Sequence, residues 1–189
     1  MDFYIGFKKE LIAPGFASDV GVLQYFYPTA GLPGMKMARN TSVTTVGAGR
    51  QAAGVNPNTT EAYIAQNFTF GPVNGFVKVS YALTDIFGIY QSAGSYYPDL
   101  TVNYDTGMFG ITLNGHVGYQ KITNNSSTYN FSYTDWKLGA TKDFGGGLTL
   151  GAFYVGTNAG TVAGSPVYAT PQSANAGKGG AVVALTKTF

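Results

Sequence analysis

The sequence predicts an all-β protein, an antiparallel meander that forms a transmembrane β-barrel. Three observations predict this class: charged residues make up only 11% of the chain, apolar and polar residues alternate along many segments, and short links alternate with long ones. A soluble domain usually carries about 25% charged residues, whereas the strands of an outer-membrane barrel are apolar on one face only. A single domain over residues 1–189 is expected at this length.

The composition excludes a bundle of membrane-spanning helices. Tyr (14), Phe (13) and Gly (27) are abundant, yet the mean hydropathy is only +0.03. No run approaches the roughly 20 apolar residues that a spanning helix needs. Even the longest apolar runs are short, such as Ala181–Leu185. Composition alone leaves a secreted β-sandwich as the alternative to a barrel.

Residues that carry enzyme and metal chemistry are scarce. The chain has no cysteine, which excludes disulfides, thiol nucleophiles and cysteine zinc sites. Its one histidine, His116, does not by itself form a His-rich metal site or a catalytic triad. Gly145–Gly147 lacks the Lys-Ser/Thr of a phosphate-binding loop. We therefore expect no enzyme activity, cofactor or metal site, although a pair of interior carboxylates could hide an activity.

The first three predicted strands differ in how clearly their residues alternate. Odd positions of Phe3–Phe7 are apolar, and Lys8 falls on the opposite face. Ser18–Tyr27 is apolar on both faces, so its register stays open. Even positions of Ala62–Phe70 are mostly apolar, and Glu61 falls on the opposite face.

The later strands alternate more regularly. Apolar residues take the odd positions of Val77–Leu83, the even positions of Leu100–Tyr104 and the odd positions of Phe109–Tyr119. The same pattern predicts three further strands, around Trp136–Ala140, Leu148–Tyr154 and Ala181–Phe189. Nine strands in all are predicted.

The links between these strands sort by length. The short ones are Glu10–Phe16, Gly71–Gly75, Asp105–Met108 and Asp143–Gly147, and the long ones are Pro28–Thr59, Thr84–Ser95, Lys121–Asn130 and Asn158–Lys178. Short and long links alternate strictly, as tight periplasmic turns and long outer loops do in a membrane barrel. A sandwich has no reason to sort its loops in this way, so the barrel is favoured.

An odd number of strands conflicts with the even number usual in bacterial barrels. Either a strand has gone unrecognised, or the chain is the C-terminal part of a larger barrel of roughly 12 strands, or another copy covers its edges. Met1 is followed by Asp2-Phe3-Tyr4 rather than by a basic and apolar signal peptide. Either the chain is a mature or truncated form that lacks its first strands, or it is not an outer-membrane protein.

Five stretches resemble one known family. They are Asp19–Pro28, Asn58–Glu61, Val79–Gly88, Ser132–Asn158 (SYTDWKLGATKDFGGGLTLGAFYVGTN) and Leu185–Phe189. In these stretches the chain resembles the proteins described as TorF-type porins, the Gcw_chp family of proteobacteria. The resemblance implies an outer-membrane barrel with a signal peptide and further strands before Asp2–Gly6. The link Pro28–Thr59, which contains Met35–Arg39, departs from the shorter loop of the family.

The alternation assigns a role to the polar residues that face the interior. The predicted pore-lining residues are Lys8, Glu61, Lys78, Asp99, Asn103, Asn114, His116, Asp135 and Lys137. They predict either an open lining that tunes solute passage or a packed interior of salt bridges. A predicted aromatic girdle consists of Tyr25, Tyr27, Tyr104, Tyr119, Trp136 and Tyr154, for which ordinary β-propensity is the alternative.

The chain ends like a strand that the outer-membrane assembly machinery reads, with Leu185 and the terminal Phe189 as the predicted assembly signal. The sequence thus predicts an outer-membrane porin for passive passage of small polar solutes or ions. Its expected partners are outer-membrane lipid, the assembly machinery and further copies of itself. A net charge of +2 gives no indication of nucleic acid. The alternative is a structural or adhesive β protein that self-assembles through open strand edges.

Overall fold

A computed structural model of the chain describes residues 1–28, 57–89, 91–125, 130–162, 164–170, 172 and 174–189. Its strands are β1 (Asp2–Ala13), β2 (Phe16–Tyr25), β3 (Thr59–Phe70), β4 (Val73–Ala82), β5 (Tyr96–Asp105), β6 (Ile111–Gln120), β7 (Tyr133–Asp143), β8 (Leu148–Thr157), β9 (Thr161–Val162), β10 (Ser165–Pro166) and β11 (Gly180–Lys187). Within these residues, no helix has the length and apolar character needed to span a membrane.

Nine of these strands form one antiparallel meander, in the order β1 to β8 followed by β11. The all-β class and the antiparallel meander of nine strands are therefore confirmed. The pair β9 and β10 is a small separate sheet in the last long link, and sequence reasoning missed it because each strand has only two residues. The link Pro28–Thr59, with Met35–Arg39, lies mostly outside the described residues.

Turn chemistry sets where the strands end. Gly15 adopts a φ of 83° in the two-residue turn between β1 and β2, a left-handed conformation that favours glycine. Phe109 and Gly110, with φ of 54° and 64°, form the turn before β6. The strand predicted from Phe109 therefore begins at Ile111, because two residues in the left-handed region cannot continue the pleat.

Pairing resolves the register of β2, which the sequence left open. Val20 lies opposite Ile64 of β3, and Asp19 lies opposite Ala65. Since directly paired residues point to the same side of a sheet, Val20 joins the apolar face and Asp19 the other face. The face of β2 that carries Asp19 also has apolar residues. One of them is Leu23, which pairs with Glu61.

The two faces of the nine-stranded sheet differ in chemistry and in exposure. We call the side that carries Ile64, Leu138 and Val183 the apolar face, and the side that carries Ala65, Asp99 and His116 the polar face. Ile64 is 60% exposed, whereas the next residue, Ala65, is 7% exposed. The polar face is thus the more enclosed one, which reverses the arrangement of a soluble protein core.

The buried apolar cluster of the described residues lies at one end of the sheet, where the long links meet. It consists of Ala82, Ile86, Ile89, Ile122, Phe131 and Val167. We call it the loop core, because it joins the β4–β5, β6–β7 and β8–β11 links. The long-link end of the sheet is therefore a packed structure, while the other end consists of tight turns.

The sheet has two open edges. Among the described residues β1 pairs only with β2, and β11 pairs only with β8. The prediction of a meander is thus confirmed, whereas closure into a barrel stays a prediction.

Candidate functional site

The nine residues predicted to line the interior all lie on the polar face. They are Lys8 on β1, Glu61 on β3, Lys78 on β4, Asp99 and Asn103 on β5, Asn114 and His116 on β6, and Asp135 and Lys137 on β7. Strand pairing places them there, because residues directly opposite on neighbouring strands point to the same side. Their role in lining a pore stays a prediction.

One row of paired positions carries charges across the polar face. Its members are Lys8, Asp19, Ala65, Lys78, Asp99, Gly118 and Asp135, in strand order from β1 to β7. Lys78 Nζ lies 3.7 Å from Asp99 Oδ2. Opposite charges on neighbouring strands attract each other, so the side chains of Lys78 and Asp99 are held against the sheet.

His116 lies between two carboxylates of this row. Its Nδ1 is 3.0 Å from Asp99 Oδ1, and its Nε2 is 2.8 Å from Asp135 Oδ1. A neutral imidazole has a single N–H and donates to one of them, whereas an imidazolium donates to both. The ring is thus held from both sides and joins β5, β6 and β7 through one side chain.

Two hydroxyl groups complete the contacts of this cluster. The Tyr97 hydroxyl lies 3.0 Å from Asp135 Oδ2 and donates to that carboxylate. The Thr101 hydroxyl lies 3.1 Å from His116 Nδ1 and also 3.3 Å from Asp99 Oδ1, to which it donates. These hydrogen bonds hold the two carboxylates and the imidazole in place on the polar face.

A ladder of amides continues across the same face toward the short turns. Asn103 donates to Asn74 at 3.1 Å, Asn114 donates to Asn103 at 2.8 Å, and Thr141 donates to Asn114 at 2.9 Å. The ladder joins four strands without any charge. It satisfies hydrogen-bonding groups of the polar face and holds these side chains in fixed orientations.

Tyrosines of the polar face lie over glycines of the neighbouring strands. The Tyr63 hydroxyl comes within 2.8 Å of where a Cβ of Gly21 would stand, and within 2.9 Å for Gly6. The hydroxyl of Tyr97 covers Gly118 in the same way. Because glycine has no side chain to fill this space, the two tyrosine rings lie flat along the sheet and project less from it.

Sequence reasoning missed some residues of this surface. Asp19 was missed because β2 is apolar on both faces, and Tyr63 and Tyr97 were passed over because tyrosine occurs on both faces. A glycine on the neighbouring strand is the signal that could have identified the two tyrosines: Gly21 is paired with Tyr63, and Gly118 is paired with Asp99, two residues after Tyr97.

Most residues of the predicted girdle lie on the apolar face. Tyr104, Tyr119, Trp136 and Tyr154 are exposed there. Tyr27 follows the end of β2, with its ring 6.2 Å from that of Phe87. Tyr25 is the exception, since it pairs with Thr59 on the polar face and its ring lies 5.0 Å from that of Phe87. The sequence left its face open, because β2 is apolar on both faces, and its membership of the girdle stays a prediction.

Leu185 and Phe189, the predicted assembly signal, lie at the open edge of β11. Leu185 is on the apolar face, opposite Leu150 of β8. Phe189 follows the strand and is fully exposed, and Lys187 Nζ lies 5.6 Å from the centre of its ring. Their recognition by the assembly machinery stays a prediction.

A pocket of about 350 Å³ opens beside the loop core. It lies between the β6–β7 and β8–β11 links, and Val162 and Val167 connect it to the loop core. The Tyr168 hydroxyl donates to the Phe131 carbonyl at 2.6 Å, which fixes the two links to each other. Burial, followed by the nearby Tyr133, raises the pKa of Tyr168, so this donor keeps its proton.

Comparison with known proteins gives one match. A family model described as "Bacterial protein of unknown function (Gcw_chp)" matches residues 1–189. No curated protein and no solved structure matches the chain. The matched residues include all five stretches that resemble the family. The match identifies a family but no activity.

Proposed function

We propose that this chain, which belongs to the Gcw_chp family, is an outer-membrane porin that lets small polar solutes or ions pass along its polar face. One observation carries the proposal, namely the complete segregation of acidic residues to one face of the sheet. Eight of the nine acidic residues lie in strands, all eight are on the polar face, and the ninth, Asp85, is in a link. The apolar face of the nine strands carries none.

Lysines of the apolar face support a membrane-facing role for it. Lys9, Lys142 and Lys187 are the charged residues of that face within the nine strands, and all three lie near the short-turn end. Lys187 Nζ reaches the Gly146 carbonyl at 2.5 Å, and Lys142 Nζ reaches the Phe109 carbonyl. Lysines at this level can keep their ammonium groups at a lipid headgroup boundary while their alkyl chains lie on apolar surface.

The polar face supports passage rather than a filled interior. Its Tyr63 and Tyr97 lie over glycines, its amides bond to one another along the sheet, and Lys78 is paired with Asp99. These contacts run along the sheet instead of across a lumen. In a barrel whose interior polar groups already bond to neighbours on the same sheet, no side chains have to meet across the lumen to satisfy them.

Recordings from planar lipid bilayers test the channel. The protein, refolded into lipid vesicles and fused with a bilayer, should give discrete conductance steps. The matched control is the same protein with Leu138→Arg on the apolar face, which should fail to insert. A wild-type protein that is folded in lipid and yet shows no steps contradicts porin activity. A protein that stays folded and dispersed without detergent contradicts the lipid-facing surface.

One observation favours a second function, a structural protein that assembles through its edges. The edge strands β1 and β11 expose backbone groups that can pair with another strand. Electron microscopy of detergent-free protein would separate the two functions, since edge-to-edge assembly should give filaments and a porin should give protein-containing vesicles only when lipid is supplied.

A further inference from the structure

We infer that the pocket beside the loop core binds a neutral, polyhydroxylated solute of the size of a monosaccharide. The pocket has a volume of about 350 Å³, within the range of small-ligand sites. It lies at the long-link end of the sheet, where a solute would arrive from outside in the proposed porin. The identification of this ligand as a transported solute rests on the proposed function, whereas binding itself does not.

The chemistry of the lining excludes charged solutes. Its polar side chains belong to Asn130, Ser132, Tyr133, Asn158 and Thr161, and none of the lining residues is acidic, basic or histidine. A charged ligand would lose part of its hydration there without gaining an opposite charge. Amides and hydroxyls can instead exchange hydrogen bonds with the hydroxyl groups of a sugar.

Several of these groups have hydrogen-bonding capacity to spare. In the part of the chain that the structure describes, the hydroxyls of Tyr133 and Thr161 make no hydrogen bond, and neither does the side-chain NH₂ of Asn158. The Ser132 hydroxyl accepts from Ile122 N at 2.9 Å and still has its own proton to donate. These unused groups belong to residues that line one uncharged pocket, and such a lining suits neutral hydroxyl groups.

The walls of the pocket are held in place before any ligand arrives. Asn158 Oδ1 accepts from Thr134 N at 2.6 Å, which orients its free NH₂ group. The ring of Tyr133 lies 5.4 Å from that of Tyr168, edge to face. The Val167 N–H donates to the Gly160 carbonyl at 3.0 Å, next to the apolar side chains of Val162 and Val167. A site that needs no ordering on binding loses less entropy when its ligand enters.

One tyrosine gives the pocket a second feature that suits a sugar. The side chain of Tyr133, which lines the pocket, combines an apolar ring with a hydroxyl. A sugar ring has C–H groups on its faces and hydroxyls on its rim. Rings and hydroxyls of the protein thus match those of a carbohydrate better than those of a purely apolar solute.

Saturation-transfer NMR on the full chain in detergent micelles tests the inference with D-glucose as the probe. Wild-type protein should transfer saturation to glucose. The double variant Tyr133→Phe and Thr161→Val removes two hydroxyls that make no structural hydrogen bond, so it should fold normally and bind glucose about tenfold more weakly. Tyr104→Phe, which removes a hydroxyl near the short turns, is the matched control and should bind as the wild type does.

Charged and apolar analogues complete the experiment. Gluconate and glucosamine, which carry charges, and cyclohexanol, which lacks the ring of hydroxyls, should give much weaker signals than glucose. The inference is overturned by an absence of glucose signals in the wild type, by equal signals in the double variant, or by equal signals from the charged analogues. Glucose binding without conductance steps would overturn the porin alone, and conductance without glucose binding would overturn the pocket alone.

Discussion

At the scale of single residues, adjacent positions of one strand lie on opposite faces of the sheet. Val183 and Ala184 follow each other on β11, with Val183 on the apolar face opposite Ala152 and Ala184 on the polar face opposite Gly151. Val183 is 73% exposed. In water such exposure of a valine is unfavourable, whereas against lipid it is the expected arrangement.

This pair gives a direct test of the lipid-facing surface. Val183→Arg should destabilise the protein in lipid vesicles by about 2–4 kcal/mol, because an arginine near the bilayer midplane is costly. Ala184→Arg is the matched control and should cost less than about 1 kcal/mol, since it faces the polar side. Urea titration in vesicles measures both, and equal effects of the two substitutions would contradict a lipid-facing surface that is confined to the apolar face.

At the scale of strands, glycine and tyrosine cooperate across the ladder. Gly118 on β6 leaves the space that the Tyr97 hydroxyl of β5 occupies, and the same hydroxyl donates to Asp135 on β7. One side chain thus lies along three strands. The arrangement depends on the register of β5 against β6, in which Asp99 pairs with Gly118.

Gly118→Ala should lower the single-channel conductance. The new methyl group takes the place of the Tyr97 hydroxyl, and the flexible ring can move only away from the wall, into the lumen. Adding Tyr97→Ala to this variant should restore the conductance. Gly115→Ala on the same strand is the control, since its Cβ meets only the Val102 carbonyl, at 3.8 Å. An unchanged conductance in Gly118→Ala would mean that Tyr97 does not border the path.

At the scale of the whole molecule, the polar face has an excess of negative charge. Its eight acidic residues face three lysines, Lys8, Lys78 and Lys137, in the nine strands. Such a surface concentrates cations and repels anions. The net charge of +2 for the whole chain does not reveal this, because other basic residues lie elsewhere.

The proposed channel should therefore prefer cations. In a gradient of KCl the reversal potential should take the sign of K⁺ selectivity, and the preference should weaken at high salt, where charges are screened. Glu61→Gln should reduce it, because that carboxylate lies on the polar face near the long-link end. Anion selectivity in the wild type would contradict the assignment of the polar face to the path.

The two open edges predict how the 189-residue chain behaves by itself. In a meander of nine strands the first and last run in the same direction, so direct closure of β1 on β11 would need a parallel pair. Unpaired edges in lipid cost several kcal/mol for each unsatisfied group. We expect this chain to form oligomers in detergent, as light scattering after size-exclusion chromatography would show. A uniform monomer would instead indicate closure through the parallel pair.

Period-two alternation was sufficient to predict the strands of the nine-stranded sheet other than β2, which is apolar on both faces. Neighbouring side chains of a strand point to opposite sides, so alternation separates Lys78, Asp99 and His116 from the apolar residues of their own strands, and strand pairing places the three on one face. The length of the links likewise predicted which end of the sheet would hold the long loops. Both are local properties of the chain, and tertiary packing does not override them.

Only the tertiary structure decided what depends on residues far apart in sequence. The face of Tyr25 and Asp19 followed from the pairing of β2 with β3, because an apolar pattern on both faces fits either register. The contacts of His116 with Asp99 and Asp135, and the pocket beside the loop core, required three strands or two links to meet. Sequence fixes the periodicity of each strand through backbone geometry, whereas the structure sets the register between strands and the meeting of loops through long-range packing.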